Sequence, residues 1–385
     1  MRNLSKRAGV FAATSVVLAA SVAGNASAAT AEDAVSRVIE QYVQARADDV
    51  TNAPAARSAG AAMTAGFKVQ AAVEAREGQA FRQRWAGSLW EYGKAVVTMG
   101  KPVVQKHGTG ATVKIEERTD LYFARRASAS MPEKTSYRVD HVIELTGAAG
   151  TWEIASDTLD LPIGSVNPLP YFTTARTGGP GERQVTTAAK TEAAQVNSVA
   201  GAPYNRQAMA DYAKRWALDR NSAYPSFGND CTNFVSQAMS AGGWLHVVNP
   251  GPFGNPTDKG NWYMRYLSTH AGYSQTWSVA DMFRYFAIDN STPRRVTLNG
   301  NHSRRGDVIW ADWDLANGSP GVDGHWDHVM IITGDAYPNV DDWITKTVSY
   351  HTTDTRDVPL QQVWEKSMKR SPNFGFYFGY LIDAP

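Results

Sequence analysis

Cysteine is almost missing from this sequence: Cys231 is the one thiol among 385 residues. That excludes an internal disulfide, so the fold must be held by packing and hydrogen bonds. Net charge is equally scarce, 38 Lys and Arg against 37 Asp and Glu for a formal +1, which leaves no field strong enough to draw nucleic acid or an acidic membrane surface. There is no internal repeat and no long low-complexity tract. Residues 379–385 form no hydrophobic tail, and the one long apolar run lies near the amino end. What is abundant is material for cores: 43% of residues are hydrophobic and 11% aromatic, in a length that suggests about two domains.

The opening segment reads as an export signal. Arg2, Lys6 and Arg7 precede an apolar stretch over residues 8–22 that is too short to span a bilayer, and Ala26-Ser27-Ala28 has the small-x-small form of a cleavage site. The expectation is a signal peptide over residues 1–28, a mature chain starting near Ala29 or Thr30, and a secreted, extracellular monomer with no membrane contact after cleavage. A thiol left unpaired in an oxidising compartment needs a chemical reason.

After the signal, residues from Ala31 to about Val97 read as helix: Ala34, Val38, Ile39 and Val43 recur at three- and four-residue steps, and a second periodic stretch includes Phe67, Val73, Phe81 and Trp85. From Ala111 the period falls to two. Val113-Lys114-Ile115-Glu116, Leu121-Tyr122-Phe123, residues 137–145 and Trp152-Glu153-Ile154-Ala155 read as strands. Residues 29–173 are thus expected to form an α+β domain, with helices followed by an antiparallel sheet. It shows no catalytic constellation, since His107 and His141 stand isolated in the sequence. Residues 174–202 turn small and polar, with Gly178-Gly179-Pro180-Gly181 and Thr186-Thr187-Ala188-Ala189, and read as a linker. Nine of the twelve tryptophans lie beyond it and mark a second domain over 203–385.

In that second domain Tyr204, Ala208, Tyr212 and Trp216 form a packing stripe on a helix that Asn205 caps. A turn through Pro225-Ser226-Phe227-Gly228 leads to Asn229, Asp230 and Cys231. From Thr232 the pattern is helical again, with Phe234, Val235, Ala238 and Met239 on one side, Asn233, Ser236, Gln237 and Ser240 on the other, and Gly242-Gly243 as the stop. Cys231 therefore opens a helix, where unpaired N–H groups and the helix dipole favour a thiolate, while the neighbouring Asp230 opposes it. A basic partner is needed. His328 stands at the start of a strand over residues 327–334, where an imidazole is held rigidly enough to exchange a proton with a thiol. A third strand ending in His351 would bring a second imidazole to the far nitrogen of His328 and fix its tautomer.

These residues carry a resemblance. Asn229-Asp230-Cys231-Thr232-Asn233-Phe234-Val235-Ser236-Gln237, followed by Gly242-Gly243 and preceded by Tyr224-Pro225, resembles the signature of the bacterial putative amidase domain family, which is itself similar to the NlpC-type and CHAP enzymes of the papain-like class. Gly306-Asp307-Val308, Asp327-His328-Val329 and Tyr350-His351-Thr352-Thr353-Asp354 follow in the same order, so the likeness spans residues 204–380. It implies a papain-like α+β domain, helices packed on a small antiparallel sheet, and cofactor-free hydrolysis of an amide bond. Cys231 carries over as nucleophile, His328 as general base and acid, and His351 as the third polar group, a place for which Asp354 competes. The Cys231 backbone N–H would form one side of an oxyanion hole, with Asn229 from the preceding turn as a candidate contributor, while Asp230 could cap the helix or hold a substrate amine. The substrate class implied is a peptide or other amide, with peptidoglycan stem peptides foremost. A non-catalytic binding module on the same fold and an acyltransferase are the alternatives.

Two further groupings compete for attention. Asp312, Asp314, Asn317, Asp323, His325, Asp327 and His328 crowd one segment with metal-ligand types, but their spacing is not that of a calcium loop, and His325 and His328 fall on opposite faces of a strand. No metal is expected. The aromatic residues Trp262, Tyr263, Trp277 and Trp310 read as core, whereas Trp313 and Trp326, just before His328, are expected to line a substrate groove.

Overall fold

The computed structural model of the protein describes residues 20–53, 60–148, 151–161, 175–177, 204–248, 255–266, 271–288, 296–298, 303–312, 324–370 and 375–381. The start of the expected signal, residues 178–202 of the expected linker, and Trp313 lie outside them. Helix α1 (Ala20–Asp48) runs through Ala26-Ser27-Ala28. Its stripe of Val35, Val38, Ile39, Tyr42 and Val43 is buried as the spacing predicts, and it lies past the expected cleavage site. Helix α2 (Ala65–Trp85) is started by Thr64, whose hydroxyl accepts from the Phe67 N–H at 3.3 Å. Its inner face passes through Phe67, Glu74, Gly78, Phe81 and Trp85, while Val73 is 45% exposed. The face is one residue off the apolar pattern because Glu74 has a partner inside, the Tyr42 hydroxyl, which donates to it at 3.1 Å.

Strands β1 (Tyr92–Met99), β2 (Val103–His107), β3 (Gly110–Phe123), β4 (Lys134–Ala148) and β5 (Thr151–Leu161) follow as antiparallel neighbours, with β6 (Ala175–Thr177) added in parallel to β5. The stretches read as separate strands at 113–116 and 121–123 are one strand, since Glu117 and Thr119 continue the inward alternation of β3 through a polar middle. The charge is met from both neighbours: Arg46 of α1 donates to the Glu117 carboxylate, and His141 Nε2 of β4 lies 2.8 Å from it. His141 is therefore not isolated; its Nδ1 lies 2.8 Å from Asp157 of β5, and Arg46 also pairs with Asp157 at 2.9 Å. Burial opposes the His141 cation, but Asp157 and Glu117 prevail and push its pKa up to about 9. Burial likewise opposes the Glu117 charge, yet Arg46 and His141 hold that carboxyl at about 2.

The carboxyl-terminal half contains α3 (Arg206–Trp216), α4 (Cys231–Ala241), a hairpin of β7 (Met264–Tyr266) and β8 (Ala271–Tyr273), and the short helices α5 (Gln275–Ser278) and α6 (Ala280–Ile288). Strands β9 (Val296–Leu298), β10 (Val308–Asp312), β11 (His328–Asp335), β12 (Lys346–Tyr350) and β13 (Thr355–Pro359) come next, then α7 (Leu360–Arg370) and β14 (Gly375–Leu381). The protein is α+β, and its two halves share one antiparallel sheet in the order β1-β3-β4-β13-β12-β11-β10-β14-β9. The crossing is made by β4 and β13, through Tyr137 opposite Thr355 and Ser136 opposite Arg356. Side chains lock the same seam: the Trp90 indole donates to the Ile344 carbonyl at 2.9 Å, and the Tyr92 hydroxyl donates to Gln362 at 2.8 Å. Gly334 admits the close approach, because a Cβ there would sit 2.2 Å from Thr347 Oγ1 and 2.4 Å from Pro132 Cγ. No helix among the described residues is long and apolar enough to cross a membrane. Helices α3 and α4 lie over β11, and the core between them is built from Met209, Phe234, Met239, Trp277, Trp310 and Ile331.

Candidate active site

Helix α3 is capped as its sequence predicts, with Asn205 Oδ1 accepting from the Ala208 N–H at 2.9 Å. Helix α4 begins at Cys231 and stops at Gly242, where α3 comes so near that a Cβ would meet Met209 Cγ at 2.1 Å. The expected polar face of α4 is covered except at Ser240, which is half-buried. Asn233, Ser236 and Gln237 are buried, and the surrounding indoles, hydroxyls and carbonyls take the place of solvent. Asn233 donates to the Pro225 carbonyl at 2.9 Å and accepts from the Trp277 indole at 2.8 Å. Ser236 donates to the Trp277 carbonyl at 2.9 Å, and the Tyr212 hydroxyl donates to Gln237 at 2.5 Å.

Cys231 is 2% exposed, and its thiol donates to Asn229 Oδ1 at 3.3 Å. Helix α4 packs on β11, and the backbone N–H of Val329, second residue of that strand, is near enough to the sulfur to favour its charged form. The first turn of α4 thus lies against the start of β11, which is His328 itself. His328 is 1% exposed, its ring edge-on to Tyr350 at 5.1 Å. Burial pushes the Cys231 thiol up to about 11; the Thr232 hydroxyl and the Val329 amide oppose the rise and the Asp230 charge adds to it. Burial pulls His328 down to about 3. Between those limits the thiol and the imidazole are both neutral.

His351 does not stand where the sequence reading put it. Its Nδ1 lies 2.7 Å from Asp230 Oδ2, its Nε2 donates to the Trp216 carbonyl at 2.8 Å, and its ring stacks on Phe234 at 4.1 Å. With both nitrogens committed to these partners, His351 anchors Asp230 and does not orient His328. Asp230, 1% exposed, makes no capping bond to α4. Its Oδ1 accepts from the Phe227 N–H at 3.0 Å and from Asn233 at 2.8 Å, so the carboxylate is built into the turn rather than offered to a substrate. Asn229 is exposed beside it.

Two more residues complete the turn: Thr352, which stood in the resemblance without a role, and Arg220, which no pattern marked. Thr352 sits at φ 58, a left-handed conformation rare for a β-branched residue. From there its hydroxyl accepts from the Asp230 N–H at 2.9 Å and donates to Asn229 Oδ1 at 3.1 Å. Arg220 lies with its Nε 3.3 Å from Asp230 and donates to Asp354 at 2.8 Å. Burial would raise the Asp354 carboxyl, but Arg220, His351 and Arg138 hold it well below the usual carboxylate range. Asp354 therefore belongs to an ion-pair chain.

Trp326 departs from expectation as well. It is 7% exposed, packs in the core, and carries the Arg284 guanidinium 4.6 Å over its ring, so it lines no open groove. Asp312 is buried and accepts from the Gly324 N–H at 3.0 Å. Among the described residues no three His, Cys, Asp or Glu side chains converge as a metal site would require.

Residues 203–374 match the family described as "Putative amidase domain". Part of the chain also aligns with curated bacterial proteins. "Uncharacterized protein YhbB" of Bacillus subtilis (strain 168) is 26% identical over 185 residues, covering 47% of this chain and 51% of that protein. "Uncharacterized protein YjcM" of the same strain is 30% identical over 166 residues, covering 42% of this chain and 34% of that protein. The chain thus spans about half the length of one of these relatives and about a third of the other. A solved structure, "Crystal structure of Kfla4162 protein from Kribbella flavida", aligns at 16% identity and a TM-score of 0.18, covering 22% of this chain and 55% of the other.

Proposed function

We propose that this protein is a secreted, cysteine-dependent hydrolase of amide or peptide bonds with a papain-like site, acting on peptidoglycan stem peptides. One placement supports this reading above the others: α4, which begins at Cys231, packs on β11, which begins at His328. The amidase-domain match over residues 203–374 supports hydrolysis of an amide. In the proposed reaction the Cys231 proton passes to His328 while sulfur bonds to the substrate carbonyl carbon. The oxyanion accepts a hydrogen bond from the backbone N–H at the start of α4. Collapse breaks the C–N bond as the imidazolium protonates the departing amine. Water then gives a proton to the same imidazole and attacks the acyl carbon, which releases acid and restores the thiol. Because both groups are neutral at rest, the thiolate forms in the encounter with substrate.

Incubation with purified muropeptides, read by mass, tests this. The expected result is hydrolysed product from the wild type and none from a folded Cys231→Ala variant. Turnover by Cys231→Ala would discard the nucleophile assignment. The deep burial of both Cys231 and His328 favours a second reading, a binding module without turnover, for which the same incubation would yield complex but no product. An acylated amine in place of free acid, on adding an amine acceptor, would mark an acyltransferase.

A further inference from the structure

The seam between the two halves ends at the turn that presents Cys231. Arg138, on β4, donates to Asp354 Oδ2, and its backbone N–H donates to the Asp354 carbonyl at 2.9 Å. The other Asp354 oxygen accepts from Arg220 at 2.8 Å, and Arg220 Nε lies 3.3 Å from Asp230, the residue before Cys231. Charges alternate along this chain, and its side chains are sheltered: 16% exposed for Arg138, 3% for Asp354, 21% for Arg220 and 1% for Asp230. A parallel strut fixes the residue before Arg220, since Arg118 of β3 donates to Asp219 at 2.7 Å.

We propose that Arg138 of the amino-terminal half is a positioning residue for the Cys231 site, acting through Asp354, Arg220 and Asp230 on the turn that presents the sulfur. The proposal rests on the thiol-hydrolase reading and makes the amino-terminal half a buttress of the site rather than a detachable cover. Each carboxylate in the chain is held from more than one side, Asp230 by Arg220 and His351 and Asp354 by Arg220 and Arg138. Arg138 also has Glu116 and Asp219 within 3.7 and 3.8 Å. Loss of Arg138 turns Arg220 toward Asp354 and leaves Asp230 less compensated beside the sulfur. Neutralising Asp354 does the reverse and releases Arg220 to Asp230.

Alkylation of Cys231 by iodoacetamide in the full chain at pH 8.5 reads its thiolate fraction whatever the protein hydrolyses. The rate is expected to fall roughly threefold in Arg138→Gln, to rise roughly threefold in Asp354→Asn, and to return toward wild type in Arg138→Lys. In an Asp354→Asn background Arg138→Gln should add nothing, because the relay is already cut, whereas a direct long-range field would add. With muropeptide as substrate, kcat should follow these changes with KM unmoved. Circular dichroism and the thermal midpoint establish that each variant is folded; if Arg138→Gln is not, Arg138→Lys and Asp354→Asn are compared. Equal alkylation rates in the folded variants, or additivity in the double variant, overturn the proposal. An active Cys231→Ala would instead remove Cys231 as the nucleophile and leave the alkylation rates of the other variants as they are, so the two failures are distinguishable.

Discussion

Cys231 shows how far one residue can be read and where reading stops. Its position as the first residue of α4 follows from the turn before it and the apolar period after it, both local in the chain. Its chemistry depends on burial, which no local pattern reveals. With the thiol pushed up to about 11, its alkylation rate should climb about tenfold per pH unit from 6 to 9 with no plateau. Stopped-flow alkylation checks this, and a plateau reached below pH 7 would show a standing thiolate–imidazolium pair. His351 was legible as a polar group near the site but not in its role, because its ring nitrogens go to Asp230 and to the Trp216 carbonyl. A carbonyl acceptor has no signature in side-chain sequence.

Among the elements, β1 (Tyr92–Met99) is a strand paired with β3 where the sequence reads as helix to about Val97, and β3 is one strand where the sequence reads as two. Glu117 and Thr119 interrupt its apolar alternation, and the strand is continuous because Arg46 and His141 compensate the interruption from α1 and β4. Breaking such a buried network by removing one partner costs roughly 3 kcal/mol, so His141→Ala should lower stability by about that much near pH 6 in urea unfolding. The pH dependence has a definite sign. His141 is raised from 6.5 to about 9, so its contribution is complete below 6.5 and is lost as pH rises through 9. Glu117 is depressed from 4.5 to about 2, so its share is present above 4.5 and is lost as pH falls through 2. The wild-type advantage over His141→Ala should therefore shrink by pH 10, and an advantage unchanged from pH 6 to pH 10 would mean that His141 is neutral in the fold.

Across the whole molecule, the β4–β13 pairing joins the two halves into one sheet and Gly334 keeps them close. Calorimetry is expected to show a single cooperative transition rather than two. Gly334→Ala, which drives a methyl into Thr347 and Pro132, should lower stability by about 2 kcal/mol. Separate transitions in the wild type would mean that the shared sheet does not couple the halves. The sequence by itself determined the helix starts at α3 and α4, the α+β character of both halves, and the thiol and histidine at the ends of their elements, because caps, turns and periodicity act within a few residues. Only the tertiary structure decided that Tyr137 lies opposite Thr355, that His351 turns to Asp230, and that Trp326 is covered by Arg284. A strand edge offers the same N–H and C=O groups to any partner, and an ion pair forms with whichever charge the packing brings near, so these choices appear only once the chain has closed on itself.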